Sequence, residues 1–219
     1  MDQGAAGGAT IYALASGPGR AGIAVIRMSG PNAGQALARL TGGALKPRRA
    51  TLRAIRDPAS GAILDRGLVL WFPGPASYTG EDLAEMHVHG GRACVAAVFG
   101  ALAGLGSSLG LRMAEAGEFT RRAYLAGKLD LTAAEGLADL VAAETETQRR
   151  QAFRQMEGAL GELYRSWREA IVRASALMES EIDFSDQDLP EGLGGAARRE
   201  IAQLLASLRD HLDDSNRGE

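Results

Sequence analysis

The 219 residues hold a single cysteine, Cys94, so no disulfide can close within the chain and an oxidising compartment is not implied. No apolar run approaches the roughly 20 residues that a membrane-spanning helix needs. The opening MDQGAAGGAT has no basic region followed by an apolar stretch, so no secretory leader is expected and the expected location is cytoplasmic. Internal repeats are lacking, and low complexity is confined to short Ala/Gly patches. Strong charge of either sign is lacking too, the net being −3. The balance is uneven, however. Residues 1–110 carry 10 basic and 6 acidic side chains, a net of +4, and residues 111–219 carry 14 and 21, a net of −7. Neither half is basic enough to present a nucleic-acid surface unaided, and the shift near residue 110 points to a change of domain. With 46% hydrophobic residues, the chain is long enough to bury a proper core in one or two domains.

The first feature that is present is Gly17-x-Gly19-x-x-Gly22, set directly after the apolar TIYALAS. A dinucleotide site would need a helix after these glycines and an acid about 20 residues on. Here they lead into Ile23-Ala24-Val25-Ile26, a β-branched run, and the next acid is Asp57. Both requirements fail, and the glycines are expected to form a turn between two strands.

The rest of the first half mixes strand and helix signals. PNAGQALARLTGG has helical spacing, with Gly42-Gly43 to stop it. ATLRAIRDP and ILDRGLVLWFPGP read as a hairpin that turns at Pro58 to Gly61. DLAEMHVHGG alternates, with Glu85, His87 and His89 on one face and Met86 and Val88 on the other. RACVAAVFGALAGLG reads as an apolar helix. These elements predict an α+β domain over 1–118. From Phe119 on, the pattern is helical. Thr132-x-x-Glu135 has the form of a capping box, and the stripe after it runs through Leu137, Leu140 and Val141 to Ala152 and Met156. A second helix carries Leu163, Trp167, Ile171, Ala174 and Leu177-Met178. IDFSDQDLPEG breaks that helix, and a third runs from about Leu193 to Leu212. Short links predict antiparallel packing over 119–219.

Four places carry chemistry. His87 and His89 could place two imidazoles on a metal with Glu85 as third ligand, or they are hydrogen-bonded strand residues; Glu85-Met86-His87-Val88-His89 has no zincin spacing. Cys94 stands near a helix N-terminus, which would lower its pKa, or it is a small buried side chain. Arg27 shares a strand face with Ile23 and Val25, and is either an exposed strand end or aimed at an anion or carboxylate. Lys128, in LAGKLDL, is either a solvated loop residue or a ligand contact. Spacing alone leaves all four open.

Four stretches, in order from Thr10 to about Pro190, resemble the N-terminal part of the tRNA modification GTPase MnmE (TrmE) family: TIYALASGPGRAGIAVIRMSG, LWFPGPASYTGEDLAEMHVHGG, AEAGEFTRRAYLAGKLDLTAAEGLADLV and ESEIDFSDQDLP. The resemblance implies a dimerising α+β domain that binds 5-formyltetrahydrofolate or a related tetrahydrofolate, similar to the folate domain of glycine-cleavage T-protein, followed by the first part of a helical domain. It also implies an MnmG-type flavoprotein partner and an aminomethyl-type modification of the tRNA wobble uridine, with the folate supplying one carbon. Carried over by motif, the family's folate contacts fall on Arg27, Glu85 and Lys128, where a carboxylate would accept from the pterin N–H and amine. The family motif usually has Gln where His87 stands. GTP, Mg2+ and K+ enter the family's activity through a G domain. No Gly-x-x-x-x-Gly-Lys-Ser/Thr loop occurs in the 219 residues, nor does the family's C-terminal cysteine motif. The chain is therefore expected to stop before the G domain and not to hydrolyse GTP by itself.

Overall fold

The computed structural model of the chain describes residues 8–183 and 193–213. Most of the IDFSDQDLPEG break lies outside them. The contacts divide the chain into two compact units, Met1–Leu129 and Asp130–Glu219.

The first unit is built on six strands, β1 (Thr10–Leu14), β2 (Ala21–Ser29), β3 (Thr51–Arg56), β4 (Ile63–Phe72), β5 (Leu83–Gly90) and β6 (Leu111–Met113), in the order β3-β4-β5-β2-β1-β6. Neighbours are antiparallel except β1 and β6. Residues 15–20 turn directly from β1 into its antiparallel neighbour β2, so no helix N-terminus faces the glycines. Strand alternation then sorts the side chains. Ile26, Met28, Val69, Met86 and Val88 point to one face and are inaccessible or nearly so. They form one continuous core with Leu37 and Leu40 of α1 (Ala33–Thr41) and Val98 and Leu102 of α2 (Arg92–Gly104). Each such side chain contributes about 1.5–3 kcal/mol by leaving water.

Two short elements that carry too few residues for a periodic signal, α3 (Gly106–Leu109) and β6, bring the chain back beside β1. α4 (Glu118–Leu125) follows and falls inside the first unit. The sequence pattern had grouped it with the later helices; its ties to the sheet decide otherwise. Arg122 of α4 donates to the Ala9 carbonyl and to Glu81 in the loop 73–82 before β5. Glu81 in turn accepts from Ser29 of β2.

The second unit contains α5 (Leu131–Ala142), α6 (Glu146–Met156), α7 (Ala159–Asp183) and α8 (Leu193–Leu212). Trp167 Nε1 donates to Ser207 and Arg173 to Glu200. Rising numbers on α7 thus meet falling numbers on α8, and the pair is antiparallel. The stripe expected to be one helix from Thr132 to Met156 is two. Ala143 and Thr145 are extended, and Thr145 caps α6 in a capping box with Gln148. At the start of α5 the cap is Asp130, not Thr132: Asp130 Oδ1 accepts from the Ala133 amide at 2.8 Å and from the Thr132 hydroxyl at 2.8 Å. Thr132 already sits in the first turn, so its hydroxyl is spent on the cap residue rather than on the backbone. Among the described residues, no helix is long and apolar enough to cross a membrane.

Candidate ligand-binding site

On the sheet face opposite the core, β2 and β5 pair Arg27 with Glu85 and Val25 with His87, and β4 sets Leu70 beside Glu85 and Leu68 beside His87. Directly opposed residues share a face, so register alone brings Arg27 to Glu85. Arg27 Nε donates to Glu85 Oε1 at 2.9 Å, and Nη2 lies 2.8 Å from the same oxygen. The side chains are 31% and 17% exposed, which leaves this pair open to a ligand on a partly desolvated floor. Glu85 Oε2 faces His87 Nε2 at 3.5 Å.

β4 passes close to β5 here at Gly67, where any Cβ would run into the His87 carbonyl oxygen. A larger residue would push the strand that carries His87 away, so only glycine keeps this spacing.

Two aromatic residues flank the cation. The Arg27 guanidinium carbon lies 5.6 Å from the ring centre of Tyr78, in the 73–82 loop, and 5.9 Å from that of Phe119 in α4, within cation–π range. The Tyr78 hydroxyl is 3.2 Å from Thr120 Oγ1, joining loop to helix. An ionic cluster fastens α4 to that loop through Arg122 and Glu81 and to β6 through Glu118 and Arg112. Glu118, almost fully buried, accepts from Arg112 at 2.8 and 2.6 Å and from Arg122 at 3.0 Å. The Arg112 hydrogen bonds, aided by the Glu115 amide and Arg122 and opposed by burial, bring its carboxyl down to about 2.

Lys128 belongs to this region without joining the pair. Its backbone N–H donates to the Ala123 carbonyl. Its Cε would lie 3.5 Å from a Cβ at Gly80, and Ala126 Cβ would be 2.9 Å away. Gly80 also has φ +79°, so the loop takes this path only with glycine. The exposed ammonium makes no hydrogen bond or ion pair among the described residues.

The two histidines turn to different partners. His89 donates its amide to Asp65 Oδ2 at 2.7 Å, and its Nδ1 lies 2.8 Å from Oδ1. Burial works to raise the Asp65 pKa, but these bonds and the Arg66 amide hold it below the usual carboxylate range. Among the described residues, no group of three or more His, Cys, Asp or Glu side chains is placed to hold a metal ion. Burial, then the neighbouring Asp65 carboxylate, pushes the Cys94 thiol up. That is the opposite of nucleophile activation.

Nothing local in the sequence marks Tyr78, Phe119, Glu118 or Arg122 for this site. Nothing in a linear pattern places Phe119 beside Arg27, 92 positions away; the loop before β5 and α4 make that neighbourhood.

Residues 10–128 match the family described as GTP-binding protein TrmE N-terminus, and residues 131–219 match the MnmE helical domain. The chain belongs to the TrmE/MnmE family. It is 57% identical over 211 residues to a tRNA modification GTPase MnmE of Parvibaculum lavamentivorans, covering 96% of this chain and 48% of that protein. It is similar also to the mitochondrial 5-taurinomethyluridine-[tRNA] synthase subunit GTPB3, at 56% identity in Danio rerio (96% of this chain, 42% of the relative) and 57% in Homo sapiens (97% and 43%). The chain thus spans under half the length of these curated relatives. In TrmE/MnmE terms, Arg27, Glu85, His87, Tyr78, Phe119 and Lys128 all fall within the N-terminal match, and α5–α8 fall within the helical one.

Proposed function

We propose that this chain is the folate-binding and dimer-forming part of a tRNA-modifying GTPase of the TrmE/MnmE family. The observation that carries the reading is the Arg27–Glu85 pair on an open sheet face, roofed at one end by Tyr78 and Phe119. A reduced pterin offers flat aromatic surface and a run of N–H donors. Glu85 Oε2 is free to accept such donors, because Nε and Nη2 of Arg27 both engage Oε1. The unpaired ammonium of Lys128 suits the carbonyl or carboxylate oxygens of the same ligand. The bound molecule is 5-formyltetrahydrofolate or a close relative, and it supplies the one-carbon unit. The chain's residues bind and orient it.

The wider activity belongs to the assembled protein: GTP hydrolysis with Mg2+ and K+ in a G domain, an MnmG-type flavoprotein partner, and modification at the wobble uridine. The chain by itself does not hydrolyse GTP, since its 219 residues contain no phosphate loop. The net charge of −7 over residues 111–219 favours tRNA contact through the partner or through other parts of the assembly.

A second reading is a dimeric scaffold without a working folate site. It is favoured by Leu52 and Leu68, paired on the same open face as His87 and 68% and 44% exposed, an apolar strip suited to another copy of the sheet. Calorimetric titration with 5-formyltetrahydrofolate separates the two when Glu85→Ala is run beside the parent and both are sized by sedimentation. Binding by the parent, weakened more than about tenfold in a variant of unchanged oligomeric state, supports the folate site. A dimer that takes up no folate in either form leaves the scaffold.

A further inference from the structure

His87 Nε2 is one of two buried side-chain nitrogens without a hydrogen-bond partner among the described residues. It is inaccessible to water although the imidazole as a whole is 31% exposed, and its nearest charged atom is Glu85 Oε2 at 3.5 Å. A buried polar nitrogen left unpaired is costly, and closing the gap by a few tenths of an ångström would satisfy it. We infer that His87 is a positioning residue for Glu85: its Nε2–H closes onto Oε2, so that Arg27 holds one carboxylate oxygen and His87 the other.

This clamp fixes the rotation of the carboxylate and leaves one lone pair of Oε2 for a ligand donor. It requires the tautomer protonated at Nε2, because a lone pair there would repel the carboxylate. The groups around the imidazole are few. On β5, Glu85 is the partner, and His89 is committed to Asp65 of β4. On β2, Arg27 is already paired with Glu85, and Val25 stands directly opposite. β4 presents the uncharged Leu68. The 73–82 loop supplies Tyr78 beside Arg27, α4 directs Arg122 to Glu81 and Glu118, and Lys128 follows α4. Protonation at Nδ1 therefore adds a positive charge beside Arg27 and draws on the oxygen that the ligand needs. Protonation of the imidazole therefore weakens the hold on the ligand.

The clamp itself concerns only Glu85; its effect on affinity rests on the folate reading. The test therefore has two arms, both on the full 219-residue chain. Without ligand, long-range nitrogen–proton correlation spectra of His87 are compared between the parent and Glu85→Gln. An imidazole whose neutral form is protonated at Nε2 in the parent, with an Nε2 resonance that moves in the variant, supports the clamp. The other tautomer, or an Nε2 resonance indifferent to the substitution, overturns it. In the second arm, 5-formyltetrahydrofolate is titrated into the parent, His87→Gln and His87→Ala at about pH 5.5 and about pH 8, either side of an ordinary imidazole pKa. The alanine variant is expected to lose roughly tenfold in affinity at the higher pH, and glutamine, whose amide N–H reaches the same oxygen, to restore most of it. The parent weakens at the lower pH and His87→Gln does not. Equal affinities in all three proteins at both pH values overturn the inference while leaving the folate site in place. Absence of binding by the parent counts against the folate reading, and the spectra then decide the clamp.

Discussion

In the sheet unit large apolar side chains fill the core: Ile26, Met28, Leu37, Met86 and Leu102 have at most 1% of their surface exposed. Among the described residues of the helical unit the buried apolar side chains are small, Ala133, Ala152, Ala174 and Ala197, while Val141, Ile171, Ile182 and Leu212 are more than half exposed. Both units have the apolar periodicity that marks an element with one dry face. The difference lies in what that face meets. A sheet covered by α1 and α2 gives every inward residue a partner across the layer. Four helices packed through α5–α6 and α7–α8 touch along seams narrow enough for alanine and leave the larger residues half-buried or exposed. Burial, and with it resistance to unfolding, is therefore expected to be concentrated in the first unit.

Each unit contains one tryptophan, Trp71 and Trp167, so fluorescence of single-tryptophan variants follows the two separately. The largest effect is expected for Leu37→Ala, which should lower the stability reported by Trp71 by about 2–5 kcal/mol. Ile171→Ala, at a residue 53% exposed, should change the Trp167 transition by less than about 0.5 kcal/mol. Equal losses would dissolve the contrast.

Acid sharpens it next. Glu118 has a folded-state pKa of about 2, below its ordinary value of 4.5. A depressed carboxyl adds stability that is complete above about pH 4.5 and lost as pH falls through about 2, here about 2–3 kcal/mol. Urea titrations of the sheet unit from neutral to acid pH should show this loss, and Glu118→Gln should remove most of the slope. In the helical unit, hydrogen bonds from Arg149 and then Arg150 hold Glu146 also at about 2. That carboxylate is exposed, so Glu146→Gln should alter stability little, and less still in salt.

A smaller effect than the losses at Leu37 and Glu118 concerns a seam. Gly136→Ala would usually favour a helix, but a Cβ there meets the Met156 amide at 2.6 Å and the Ala152 carbonyl at 3.0 Å. It should therefore weaken the α5–α6 pair by about 1–2 kcal/mol, read as an earlier loss of helical circular dichroism with the Trp71 transition unmoved. A gain in stability would show that the seam has room to open.

Much of this was legible beforehand where a residue's neighbours in sequence determine its surroundings. Alternation in AVIRMSG puts Met28 and Arg27 on opposite faces, and in LAEMHVHG it puts Met86 and Val88 opposite Glu85 and His87; which face is the core is decided by the packing. β6 and α3 escaped notice because three or four residues cannot express a period. The break at Ala143–Thr145 did so because the apolar stripe continues through it. Within the site, the charged floor could be marked one residue at a time. Its aromatic walls could not, since Tyr78 and Phe119 reach Arg27 only through a loop and a helix held by Glu81, Arg122 and Glu118.

The meeting of Arg27 and Glu85 through strand register also sets where this chain can change length over evolution. Residues added to the 15–20 turn, which joins β1 to β2 at the end of the sheet, leave every pairing beyond it intact. One residue inserted between Leu83 and Glu85 would turn β5 over, bringing Met86 to the open face and sending the carboxylate into the core. Lineages of this fold should therefore differ freely in the length of the first hairpin and hold the span from Leu83 to His87 to a fixed count.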